Sequence, residues 1–138
     1  MNIRNTLSVI AGVIASMIII FIGEGISFKL HPLPASVDLK NISSVKEYIS
    51  SAPASLHLII LTIYGIACFA GGIVAAGIAM DKRMSRATTV GGILLGFGIY
   101  SLVSVGHPVW VLIASIFVFI PFSYFGGLTA IKLSAKKK

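Results

Sequence analysis

Residues His57 to Met80 read HLIILTIYGIACFAGGIVAAGIAM. About 24 residues without a charged side chain, at ~1.5 Å rise each, cross a ~30 Å hydrocarbon layer, so the stretch reads as a membrane-spanning helix. One of its faces is nearly bare. Ala67, Gly71, Ala75 and Ala79 recur every fourth position, and Cys68, Gly72 and Ala76 form the adjacent row. In lipid, where little hydrophobic drive acts between helices, small-residue rows let two backbones approach closely enough for dispersion contacts to hold them. This helix is therefore expected at the centre of a bundle.

Composition agrees with a membrane protein. Hydrophobic residues make up 57% of the 138-residue chain and charged residues 11%, well below the ~25% charged of a soluble domain. The formal charge of +7 does not point to nucleic acid, because the basic residues cluster beside apolar segments rather than along an amphipathic or aromatic-interleaved face. Anionic lipid headgroups are the expected partner. Cys68 is the single cysteine, so an intrachain disulfide is impossible, and it reads as one more small residue in the packing row.

Working outward, three more spans appear. A basic start followed by an apolar run fits a signal peptide, but no small-x-small cleavage site follows, so a retained first helix is expected over residues 5–27, with Ser8, Gly12 and Ser16 as its small row. The second helix is expected over 57–80, the third over 87–105 with Gly92 and Gly96 in a GxxxG pair, and the fourth over 108–131. Pro32, Pro34 and Pro53 punctuate the one long loop, 28–56. Within it Asp38 or Ser43 can cap a short amphipathic helix over 43–51, lying on the membrane surface or folded over the bundle end. Asn41-Ile42-Ser43 matches the glycosylation triplet, a motif common by chance.

The sequence thus predicts an all-α, integral-membrane four-helix bundle forming a single domain. Arg4, Lys82, Arg83, Arg86, Lys132 and the run Lys136 to Lys138 fall on one side, which places both termini in the cytoplasm of a cell whose inner membrane holds the chain. At an offset of 55, Phe69-Ala70-Gly71-Gly72 aligns with Tyr124-Phe125-Gly126-Gly127, consistent with two helical hairpins repeated in parallel. Aromatic rings of the fourth helix are expected in the glycine grooves of the second and third. Pro121 cannot donate to the carbonyl of Phe117, so a kink, and a candidate hinge, is expected there.

Chemistry is sparsely written. None of the expected spans carries an ionisable group at mid-depth, which weighs against a proton-coupled pump. Tyr64 and Ser101 read as groups that bond a backbone carbonyl or a neighbouring helix. Glu24, His57 and His107 reach one interface, and His31 could join them as ligands for a transition metal or as an acid/base set acting on a lipid headgroup. No ligand-spacing motif supports this, and haem between His57 and His107 is a variant of the same idea. No cofactor is expected.

Three function classes follow. The leading one is a structural or accessory subunit that packs into a homo-oligomer or larger membrane complex through Gly12, Ser16, Gly71, Gly72, Ala75, Gly92, Gly96, Gly126 and Gly127. Next comes a small-solute or lipid transporter or channel built from such bundles. The last is an interfacial metal-dependent enzyme using Glu24, His57 and His107.

Overall fold

The computed structural model describes residues 3–136, all of its regular structure helical. In chain order the helices are α1 (Ile3–Leu30), α2 (Ile42–Ser51), α3 (Ala54–Ile78), α4 (Arg83–Val105) and α5 (Val109–Ala135). All but α2 are long and apolar enough to cross a membrane. Lys137 and Lys138 lie outside the described residues.

Boundaries differ from expectation by three residues or more at four ends: α5 runs on to Ala135 rather than residue 131, and the other three shifts each have a local reason. Gly23 and Gly25 do not end α1; the chain stays helical to Leu30, and Pro32 ends it by disfavouring helical backbone at His31. Pro53 caps α3, which begins at Ala54 because a proline fits the start of a helix. At the other end Lys82 takes a left-handed backbone (φ 44°), compressing the turn so that Arg83 to Arg86 join α4. Asn41, not Asp38 or Ser43, caps α2, its Oδ1 accepting the Ser43 N–H at 3.1 Å. Asp38 instead accepts the Lys40 N–H at 2.9 Å.

As its bare faces require, α3 is central: it packs against α1, α4 and α5, whereas α1 and α5 do not touch. Gly12 and Gly71 bring α1 and α3 so close that a Cβ on Gly12 would stand 2.7 Å from the Gly71 carbonyl oxygen. Gly72 faces the Ser123 backbone and Gly126 faces the Phe69 backbone, so one glycine of each pair seats the parallel helices α3 and α5 on each other, while Gly71 faces α1 and Gly127 faces α4. This crossing is reciprocal, as two repeated hairpins would make it. The symmetry stops there, because α4 packs on both α3 and α5 while α1 reaches only α3 and α4.

Phe119 alone among the α5 rings is fully buried, seated on Gly98, and Phe122 lays one edge on Gly65 while remaining 43% exposed. Phe117, Tyr124 and Phe125 face outward, with Ile, Leu and Phe side chains of every span, as a lipid-facing surface does. Gly92 and Gly96 also face outward with open space around them; within the chain, Gly91 and Gly98 fill the packing role expected of that pair. α5 continues unbroken through Pro121. Phe119 on one side of it is locked against Gly98 and Ser123 on the other donates to the Ala87 carbonyl, so both flanks of the candidate hinge are clamped.

Arg4 donates to the Ile78 carbonyl at 3.0 Å and Arg83 to Ser134 at 3.0 Å, which gathers both chain ends and the α3–α4 turn at one end of the bundle. α2 folds over the opposite end, with Ile49 buried and Lys46 laid against Gly106.

Candidate functional site

The α2 end of the bundle holds every histidine and one partly buried carboxylate–tyrosine pair. Gly106 starts its geometry. With φ 91° it closes α4 in a left-handed turn, its own N–H reaching the Val103 carbonyl at 3.2 Å and the His107 N–H reaching that of Leu102 at 3.0 Å. The turn aims His107 back at the bundle, where its Nδ1 meets Nδ1 of His57 at 3.0 Å. Trp110, one turn on, closes over the His57 ring edge-on at a centroid distance of 5.6 Å. His57 is 1% exposed, and its Nε2 is buried without a hydrogen-bond partner. Burial, reinforced by the neighbouring His57, pushes the His107 ring down to about 4, so it is neutral at pH 7.

Glu24 does not join them. Because α1 continues to Leu30, Glu24 lies six residues, about 9 Å, inside the helix rather than at its end. Its Oε1 accepts the Tyr64 hydroxyl at 3.1 Å. Tyr64 is 4% exposed and rests against Phe119, ring centroids 5.3 Å apart. An ionisable group inside a span, with a buried partner, is the usual mark of a working site in a membrane protein.

Two cavities meet at this pair. The larger, about 550 Å³, is an apolar cleft between α1 and α4, walled by Ile14, Ile18, Phe21, Leu94 and Phe97 and floored by Phe119. Phe21, 81% exposed, stands at its rim, so the cleft opens sideways into the bilayer. The smaller, about 130 Å³, lies beneath α2; its wall is mostly apolar and also carries Ser27, His31, Tyr48 and His107. Glu24, Tyr64 and Ser101 line both. The absence of close α1–α5 backbone packing leaves the cleft open: α1 is held at Gly12 and Ser16, and farther along α5 reaches the gap only with Phe119, its floor.

Among the candidates from sequence, His57 and His107 are brought together, His31 and Glu24 line the same small cavity, and the four do not form one ligand set. No three histidine, cysteine or carboxylate side chains come within reach of one metal ion among the described residues, so the geometry does not bring the candidate ligands Glu24, His31, His57 and His107 together as a set. Two imidazoles in mutual hydrogen bond, rather than on opposite faces of a planar ring, likewise do not form a haem pocket. Sequence reasoning missed Tyr64 and Ser101 as site residues. The available signal was Pro32: ending α1 there puts Glu24 inside the bundle, where it must face a partner. No protein-family model matches the chain, and no curated protein or solved structure matches it.

Proposed function

We propose that this membrane protein binds an amphiphile taken laterally from the bilayer, its chain in the α1–α4 cleft and its head beneath α2. One observation carries the reading: an apolar cleft open to lipid and a smaller chamber with several polar side chains in its wall lie side by side, and Glu24, Tyr64 and Ser101 line both. A cleft of this size is within the usual range of ligand pockets, and its few polar groups converge at one end, the arrangement that orients a ligand. The arginines and lysines at the opposite end favour a cytoplasmic position for both termini, so the chamber faces the outer leaflet of a cell membrane. Handling a lipid, as a carrier or a lipid-responsive subunit, is the role this arrangement suits.

Filling the cleft tests this. In Ile18→Trp the indole occupies the opening, and binding of a spin-labelled or brominated alkyl chain falls several-fold, while Ile113→Trp on the exposed face of α5 leaves it unchanged. Equal binding by both variants and the parent chain refutes the proposal.

A second reading, assembly into a homo-oligomer or larger complex, is favoured by the outward-facing Gly92 and Gly96, since most of the other small residues are consumed inside the bundle. Crosslinking through a cysteine at position 92 or 96 in lipid tests it; a monomer at every lipid ratio removes it.

A further inference from the structure

The charge of the chamber narrows the ligand. No lysine or arginine lines either cavity, whereas Glu24 lines both. Lys46 lies on α2, but its stem packs along Gly106 and the residue is exposed. His107 stays neutral at pH 7 and so does not offset the carboxylate. The remaining polar groups are the hydroxyls of Ser27, Tyr48, Tyr64 and Ser101 and the imidazole of His31. His31 Nδ1 is shielded from solvent and has no hydrogen-bond partner, and in the Nε2–H tautomer it offers an acceptor. Rings of Phe28, Tyr48 and Tyr64 complete it, and aromatic faces attract cations.

A phosphate head placed here would bring its negative charge beside the Glu24 carboxyl group with no lysine or arginine in the described lining to compensate it. An ammonium group would instead donate to Glu24 and His31 while facing the rings. On the reading that the cleft holds an alkyl chain, we infer that the chamber selects an amphiphile with a cationic amine head, Glu24 being its counter-ion.

The full chain in neutral maltoside detergent is titrated with dodecylamine, dodecanol and dodecyl phosphate, each followed by native mass spectrometry, together with Glu24→Gln and Glu24→Asp. Comparison between variants cancels partition into micelles. Expected is the order amine, alcohol, phosphate, with Glu24→Gln lowering amine binding about tenfold relative to the alcohol and Glu24→Asp, which keeps the charge, preserving the order. Three equal affinities, or phosphate binding best, with binding still blocked by Ile18→Trp, overturn the head assignment and leave the cleft reading standing. Failure of all three to bind overturns both. Should Glu24→Gln lose its helical signal, the ligand order in the parent chain and in Glu24→Asp decides alone.

Discussion

His57 and His107 face each other Nδ1 to Nδ1 at 3.0 Å, so one ring nitrogen must donate and the other accept. A single proton serves the pair, and protonating the accepting ring would leave two N–H groups pointing at one another. The folded-state value of His107 lies near 4 against an ordinary 6.5, so between these limits the unfolded chain binds more protons than the folded one. The stabilisation is therefore complete above about pH 6.5 and is lost progressively as pH falls toward 4. Melting temperature in detergent is expected to drop between pH 7 and pH 5. In His107→Asn, whose side chain can keep a bond to His57 without titrating, the slope over that interval is shallower. Identical slopes would show that the pair does not govern acid sensitivity.

Glycine substitutions separate the inner faces from the outer one. A Cβ at Gly71 would press on Ser16 and stand 2.7 Å from the Gly12 carbonyl, and one at Gly126 would enter the Phe69 backbone. Gly71→Ala and Gly126→Ala are each expected to cost about 1–3 kcal/mol, the range for overpacking a close contact. Gly92→Ala and Gly96→Ala meet open space and are expected to change monomer stability by no more than ~0.5 kcal/mol. Unfolding curves of the four variants in one detergent give the comparison. A costly Gly96→Ala would indicate that its face is covered by another copy or another protein.

These contrasts also show where sequence reading succeeds. Spans and the central place of α3 were legible because apolar length and four-residue spacing act locally, and Gly71, Gly72 and Gly126 do face neighbouring backbones. Facing is harder. Gly91 and Gly92 are adjacent, and which one points inward depends on the rotation of α4, set by Phe119 on Gly98 rather than by any motif. The site was harder still, since Glu24 and Tyr64 are separated by 40 positions and meet only because α1 runs on to Leu30.

Ser16 provides a small, separable test of how α1 is held. Its Oγ lies 2.8 Å from the Ala67 carbonyl and 3.0 Å from that of Gly12, and one hydroxyl hydrogen serves these two acceptors. Both carbonyls lie inside helices, where they also accept backbone N–H groups, so losing the hydroxyl strands no acceptor. Ser16→Ala is expected to cost about 0.6 kcal/mol, the mean for such bonds in membranes, while Ser16→Val costs more because Gly71 leaves no room for a second branch. A larger loss for alanine than for valine would mean that the hydrogen bond, not the close approach, secures α1.

Arg83 ties the carbonyl end of α3 to α5. Its Nε donates to the Ala76 carbonyl, among the last of α3 and without an intrahelical donor, and its Nη2 reaches Ser134 Oγ at 3.0 Å. Positive charge at a helix carboxyl end is favoured, and charge-assisted bonds are stronger than neutral ones. The residue is only partly buried, which trims the gain, so Arg83→Met is expected to destabilise the bundle by about 1–2 kcal/mol. Lysine keeps the charge but lacks the fork that bonds two groups at once, so Arg83→Lys should fall between. Ser134→Ala in the Arg83→Met background should add little, because its partner is already gone. Full additivity of those two changes in a double-mutant cycle would show that the Arg83–Ser134 contact contributes nothing, and that Arg83 acts through α3 alone.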